Sequence, residues 1–474
     1  MKKLITILLF PFAFSILPSL CNAQYSVLYD FNWGGGAGSS PRGDLTHIPG
    51  LLYGMAQIGG VHGYGTIFSI DTAGNRYKDL YNFNGPYGVI GSLTISGKTM
   101  YGMTSEGGGG IGTYCPSGCG CVFQVDTNGT GFKQILTFNG TNGGYAWGNL
   151  TKLGGRLFGL SLAGGANNAG CAFAIDTGGG GYKDILDFNQ TNGAAPEGSF
   201  ILLHNQLFGM ATAGGGHDSG CIFRLDTNGG GYKDLHDFRT LSGTFPGGSL
   251  LYASGKFYGM TFDGGTHDSG VVFCIDTNGN NYKKLHDLSS AEGAYPRGSL
   301  VISGNVLYGM TNQGGAHDSG AMFSVDTNGG NFTKLFDFTG TEGVNPFGSL
   351  TVVGNDLFGM TTAGGTLNSG GVIFTYKNIS TGRDQLPVGS GQVLVYPNPS
   401  SGIFTIHFAG AQNFETVKIE IYNVLGEQVY STNYPLTTNH YSLDLSSNPS
   451  GIYLYRVIAN KGNILGEGKL VIEK

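Results

Sequence analysis

Short runs of alternating apolar and polar residues cover most of this chain, and the runs repeat. Between Gly298 and Pro346 the segments GSLVIS, NVLYGMT, GAMFSVDT and NFTKLFDF are separated by Gly-, Asn- and Asp-rich turns, which is a four-strand signature with no helical period. A Tyr/Phe-Gly pair marks the second strand of each unit at Tyr53, Tyr101, Phe158, Phe208, Tyr258, Tyr308 and Phe358, so the unit occurs seven times between Tyr25 and Tyr376. The Asp-Thr pair that ends the third strand occurs six times, at Asp71, Asp126, Asp176, Asp226, Asp276 and Asp326. The seventh copy lacks its fourth strand. The segment Tyr25 to Phe31, YSVLYDF, matches that missing piece and stands ahead of the first copy, so the chain start can complete the last unit. Four-strand units of this length, closed radially, predict an all-β fold with a seven-bladed β-propeller closed by the N-terminal strand.

Strand order predicts which loops share a face. Short hairpin turns join the first strand to the second and the third to the fourth, so both lie at one rim. The longer loop between strands two and three and the crossover to the next unit then lie at the opposite rim. The crossover ends in a Pro-x-Gly pattern at the channel mouth, and x is the least regular position of the unit: Arg42, Ile90, Trp147, Glu197, Gly247, Arg297 and Phe347. A purely structural slot would repeat. Arg42, Trp147, Glu197, Arg297 and Phe347 are therefore the candidate ligand-binding residues, with drift at an exposed turn as the alternative. Secondary candidates are His217-Asp218, His267-Asp268 and His317-Asp318, in the longer loops of three successive units. Their types suit metal ligation or acid–base work, yet Asp followed by Ser-Gly is also a common turn former.

Composition narrows the class. The 474 residues include 87 Gly and only 12% charged residues, with glycine at fixed points of the repeat rather than in low-complexity runs. The net charge is −6, or −8 once Lys2 and Lys3 are removed with a leader, which argues against nucleic acid as a partner. Residues 1–23 read as a signal peptide: a basic start, an apolar core and the small Ala23 before the cut. Beyond them no apolar run is long enough to cross a bilayer, so the mature chain carries no predicted transmembrane segment. Cys121, Cys171 and Cys221 share one strand slot and read as core residues. Cys115 and Cys119 lie in TYCPSGC, an insertion found only in the second copy, and predict a disulfide, with a metal site as the alternative. No calcium loop, nucleophile elbow, phosphate loop or His-Glu-x-x-His motif occurs, and neither a cofactor nor a metal is predicted.

The pattern changes at Lys377. Residues 377–391 read as a linker, and 392–474 as a small β-sandwich of short alternating strands. This tail resembles the C-terminal sorting domain of the type IX secretion system, through Tyr396-Pro397-Asn398-Pro399, Gly402-Ile403-Phe404, Tyr422-Asn423-Val424-Leu425-Gly426, Leu445-Ser446-Ser447 and Gly451-Ile452-Tyr453. The resemblance implies the type IX machinery as partner, passage through the periplasm, removal of the tail, and release or attachment at the outer cell surface. The repeats of 25–376, within a propeller domain expected over 24–376, resemble the GloVer tandem repeat through LYGMT, GG, SG-x-x-F and DT-x-G from Leu307 to Gly329, a resemblance that carries no settled activity. Together these predict an exported propeller that binds an extracellular glycan or protein. A polysaccharide-cleaving enzyme and a structural or adhesive surface protein remain as alternatives.

Overall fold

The computed structural model describes residues 24–33, 36–110, 115–367, 369–377, 379, 392–396, 400–409, 416–423, 426–435, 440–459 and 464–474. The leader expected over 1–23, most of the linker expected over 377–391, and the tail motif positions Pro397 to Pro399, Val424 and Leu425 lie outside these residues. Two compact units divide the chain, Met1–Arg383 and Asp384–Lys474.

The described part of the first unit carries seven four-stranded antiparallel sheets, a propeller-like arrangement almost free of helix. Five sheets use four consecutive strands, and the first copy's does so apart from the two-residue strand Ile58–Gly59, which pairs with Gly38–Ser39. The seventh takes Thr351–Val353, Asp356–Met360 and Val372–Tyr376, and its fourth strand is Tyr25–Asp30, with Tyr25 opposite Tyr376 and Asp30 opposite Val372. The pairing is flanked by Lys377 N–H donating to the Gln24 carbonyl and Phe31 N–H donating to the Gly371 carbonyl. Even the irregularity matches: this pairing shifts register between Val27 and Tyr29, as each fourth strand does against its third, for example between Val122 and Phe123.

The local cause of the sheets is a cross-strand fit. The glycine of each Tyr/Phe-Gly pair faces a phenylalanine of the third strand: Gly54 opposite Phe68, Gly159 opposite Phe173, Gly309 opposite Phe323. A Cβ at any of these glycines would overlap the ring, so the ring lies flat where a side chain would stand. The second and third strands are buried on both faces, as in Leu51–Ala56 and Thr66–Asp71, because neighbouring sheets pack face to face. One hydrophobic cluster joins Phe31, Leu45, Leu52 and Phe68 of the chain start to Phe358, Met360 and Ile373 of the seventh copy.

Outer strands contact each other through an aromatic ladder. Tyr81 stacks on Phe132, His236 on Tyr282, and His286 on Phe332, each pair joining one sheet to the next at 3.7–4.2 Å between ring centroids. The N-terminal strand supplies both of its rungs: Tyr25 stacks on Phe336 at 4.0 Å and Tyr29 on Tyr77 at 3.8 Å. Two rungs of the ladder are the histidines of LHDF and LHDL, His236 and His286. Both are half-buried in the ladder, and burial lowers the His236 imidazole to about 4, so it stacks as a neutral ring.

Cys115 and Cys119 are bridged, with Cα atoms 5.0 Å apart, while Cys121, Cys171, Cys221 and Cys274 are buried free thiols. Burial pushes Cys121 up to about 11 and Cys171 up to about 12, which keeps them as unreactive thiols at neutral pH.

The second unit holds a three-stranded sheet (Gln392–Tyr396, Ile403–Ala409, His440–Asp444) and a four-stranded one (Gln428–Pro435, Thr416–Asn423, Gly451–Ala459, Ile464–Ile472). Phe404, Ile406 and Leu443 of the first share one core with Ile419, Ile421, Val457 and Leu470 of the second. No helix among the described residues is long and apolar enough to cross a membrane.

Candidate functional site

The first strand of each unit begins at a common opening, lined by residues of all seven. Its wall is a belt of hydrogen bonds in which the backbone N–H of one unit donates to a side-chain oxygen of the next. Asp44 donates to Ser92, Ser92 to Asn149, Asn149 to Ser199, Ser199 to Ser249, Ser249 to Ser299, and Ser299 to Ser349, over 2.5–2.9 Å. Ser349 N–H then donates to the Asp44 carboxylate at 2.6 Å, so the belt returns to its first member. Each bond contributes about 1 kcal/mol, and more where the acceptor is charged. The preceding glycines allow this approach, since a Cβ at Gly43, Gly198 or Gly348 would strike the backbone carbonyl of the next unit.

Above the belt the seven irregular positions converge. Arg42, Ile90, Trp147, Glu197, Gly247, Arg297 and Phe347 all line the opening. Trp147 and Phe347 come from non-adjacent units, yet their rings meet edge to face with centroids 6.4 Å apart, so the side chains reach across the mouth. Phe347 is flanked by two guanidinium groups, Arg42 at 5.4 Å and Arg297 at 5.2 Å from its centroid, and Arg297 also lies 4.4 Å from the ring of Phe262. What remains open is narrow, a cavity of about 60 Å³.

Electrostatics at the mouth are strained. Burial pushes the Glu197 carboxyl up to about 7, against the pull of Arg297 toward the ionised form. Burial, and then the neighbouring Arg297 charge, lower the Arg42 guanidinium from its ordinary value. Arg42 Nε and the Trp147 indole N–H are buried without a hydrogen-bond acceptor among the described residues.

The His-Asp pairs lie elsewhere. His217, His267 and His317 are exposed on the longer loops, apart from the residues that line the opening. Asp218, Asp268 and Asp318 adopt left-handed backbone with φ of 53°, 48° and 52°, and the carboxylates of Asp218 and Asp318 accept the N–H of Gly214 and Gly314. Ser219, Ser269 and Ser319 close the same turns on the histidine carbonyls. This is turn chemistry. Among the described residues no three His, Cys, Asp or Glu side chains gather as metal ligands.

Two features escaped the sequence reading. Asp44 and Asn149 stand where other units place serine, and that deviation in an otherwise regular GSL start was the available signal for the belt. The second is a tier around the mouth formed by the residue two before each x: Ser40, Gly88, Tyr145, Ala195, Phe245, Tyr295 and Asn345, all at positive φ between 50° and 59°. Its signal is weak, because six of the seven are not glycine.

The Gloeobacter/Verrucomicrobia repeat model matches residues 112–255 and 235–386, more than half of the chain. The chain belongs to this repeat family. A secretion-system C-terminal sorting domain matches residues 394–473, which implies secretion through the type IX machinery and a secreted or outer-surface location for this repeat protein. Comparison with curated proteins finds no match. Among solved structures, tricorn protease is similar at 10% identity and TM-score 0.38, covering 92% of this chain and 40% of that one. A prolyl endopeptidase is similar at 11% identity and TM-score 0.43, covering 81% and 55%. A subtype N11 neuraminidase-like protein of the isolate A/flat-faced bat/Peru/033/2010 (H18N11) is similar at 14% identity and TM-score 0.35, covering 60% and 84%. The repeat protein thus spans about half or less of the length of the first two, and likenesses at these scores carry no argument about its activity.

Proposed function

We propose that this protein is an exported ligand-binding module, built as a seven-bladed propeller over residues 24–376 whose ring is completed by the N-terminal strand. The leader 1–23 is removed, residues 377–391 act as a linker, and the β-sandwich 392–474 serves as the sorting tail. The ligand is an extracellular glycan or protein, taken at the mouth on the loop-rich rim. One observation carries the binding reading: the seven positions where the copies differ line one opening, while the positions that hold the scaffold repeat. Drift at an exposed turn would leave these side chains turned to solvent, whereas Trp147 meets Phe347 across the opening and Phe347 lies between Arg42 and Arg297. The enzyme alternative needs a converging pair of carboxylates or a base with a cation: the second carboxylate lining the opening, Asp44, already accepts Ser349 N–H, which leaves Glu197 beside Arg297 as the pairing an enzyme would have to use.

The test is an array of glycans and extracellular proteins probed with the mature chain, followed by substitution at the mouth. Trp147→Ala is expected to weaken binding of the captured ligand by about 1–3 kcal/mol with little change in Tm, as truncation of a buried interface aromatic does. A double substitution of His267 and Asp268 is expected to matter less. Binding left intact by simultaneous Trp147, Arg297 and Phe347 substitutions overturns the assignment.

A further inference from the structure

We propose that the mouth takes the carboxylate of an acidic glycan, with Arg42, Arg297 and the Trp147 indole N–H as donors and Phe262 and Tyr295 as the platform for the adjoining sugar. This rests on the reading of the mouth as a ligand site and names its substrate class.

The charge arrangement points to an anion. Arg42 and Arg297 both lie against Phe347, in a chain whose net charge is −6, and neither forms an ion pair with a carboxylate among the described residues. Two half-buried cations sharing one ring repel each other, a repulsion that an anion bound between them would relieve. Arg42 Nε and Trp147 Nε1 add two buried donors without acceptors among the described residues, and burial of an unpaired donor is unfavourable. A carboxylate satisfies both kinds of demand at once, since its two oxygens accept several charge-assisted hydrogen bonds.

Size sets how the ligand enters. The side chains that meet across the mouth leave a cavity of about 60 Å³, which suits a small group such as a carboxylate better than a whole pyranose ring. The ring must stay outside, where Phe262 and Tyr295 lie 5.1 Å apart at an interplanar angle of 31° and Arg297 reaches over Phe262. Tyr295 holds its place with φ of 59°, a left-handed conformation that bulky residues rarely adopt and that the second unit meets with Gly88. Retaining Tyr145, Phe245, Tyr295 and Asn345 in that strained tier fits a surface selected for its side chains. A peptide adding as a strand needs free backbone groups at a sheet edge, and the inner-strand N–H groups nearest the mouth are already used in the belt. Stacking and charge are what the mouth offers, and these suit a uronic acid.

The charged side chains lining the opening are Arg42, Asp44, Glu197 and Arg297. As pH rises through about 7, Glu197 ionises beside Arg297 and opposes an incoming carboxylate, so affinity falls with rising pH.

The experiment titrates the mature chain calorimetrically with oligogalacturonides, oligoglucuronides and alginate oligomers, each beside its carboxyl-reduced counterpart. At least one acidic series is expected to bind at least tenfold more tightly than its reduced form. Arg42→Gln and Arg297→Gln are each expected to weaken it about tenfold or more, and Phe262→Ala, which leaves every charge in place, several-fold. Between pH 6 and 8 the affinity should fall on the order of tenfold, and Glu197→Gln should flatten that fall. Reduced glycans binding as well as acidic ones, or acidic glycans indifferent to both arginines and to Phe262, overturn the proposal, as does an absence of binding across the acidic panel. A neutral glycan that binds and weakens with Trp147→Ala overturns the carboxylate while leaving the mouth as the site.

Discussion

A chain that begins after Phe31 is expected not to fold into a single cooperative unit, although it keeps every complete repeat. The lost segment holds Phe31, which is fully buried in the cluster shared by the first and last units. Removing such a phenylalanine side chain alone costs about 3–5 kcal/mol. The deletion also removes the Tyr25 and Tyr29 rungs of the aromatic ladder, the Tyr25 hydroxyl bond to the Glu342 carbonyl, and the Asp30 carboxylate that accepts Thr366 N–H. Together these reach the size of a whole domain's stability, about 5–15 kcal/mol. It further leaves the third strand of the seventh sheet as an unpaired edge, open to association with other chains. Rejoining residues 25–31 after Tyr376 through a hairpin turn copied from another unit should restore a cooperative transition. A deletion that melts like the intact chain contradicts the pairing.

Gly348→Ala is expected to cost about 3 kcal/mol or more. The added methyl would meet the carbonyl and carbon of Gly43, both backbone atoms, so relief requires the first and seventh units to separate along the belt. Gly155→Ala is the matched control: it lies in a surface turn with open space at its Cβ and no left-handed φ, and should change stability by roughly 0.5 kcal/mol or less. Equal melting of the two variants would mean that the close approach at the opening carries no load.

How much of this was legible depends on what each feature leaves in the chain. The strand pattern and the offset copy count were readable because every unit repeats its turn residues, and YSVLYDF aligns with YKDLHDF at Tyr25, Leu28, Asp30 and Phe31. The mouth residues were readable as the exception to that regularity. The ladder was not, because His236 meets Tyr282 one whole unit later, and nothing within LHDF reveals that neighbour. Trp147 crossing to Phe347 was hidden for the same reason: unit spacing gives an order around the opening but no side-chain direction. Left-handed Phe245 and Tyr295 escaped because positive φ is read from glycine, and there the tertiary contacts of two loops override local preference, with Phe245 N–H donating to the Ser219 carbonyl and Phe262 N–H to the Phe245 carbonyl.

The most direct test of the mouth as the binding site uses the two tryptophans of the chain. Trp33 is half-exposed on a loop, whereas Trp147 lines the opening. Trp33→Phe leaves Trp147 as the sole tryptophan, so its emission reports on the mouth alone. Titrating this variant with a ligand captured on the array should shift or quench that emission saturably, with the same Kd as calorimetry. A ligand that calorimetry shows to bind while Trp147 emission stays unchanged to saturation would place the site elsewhere and contradict the account.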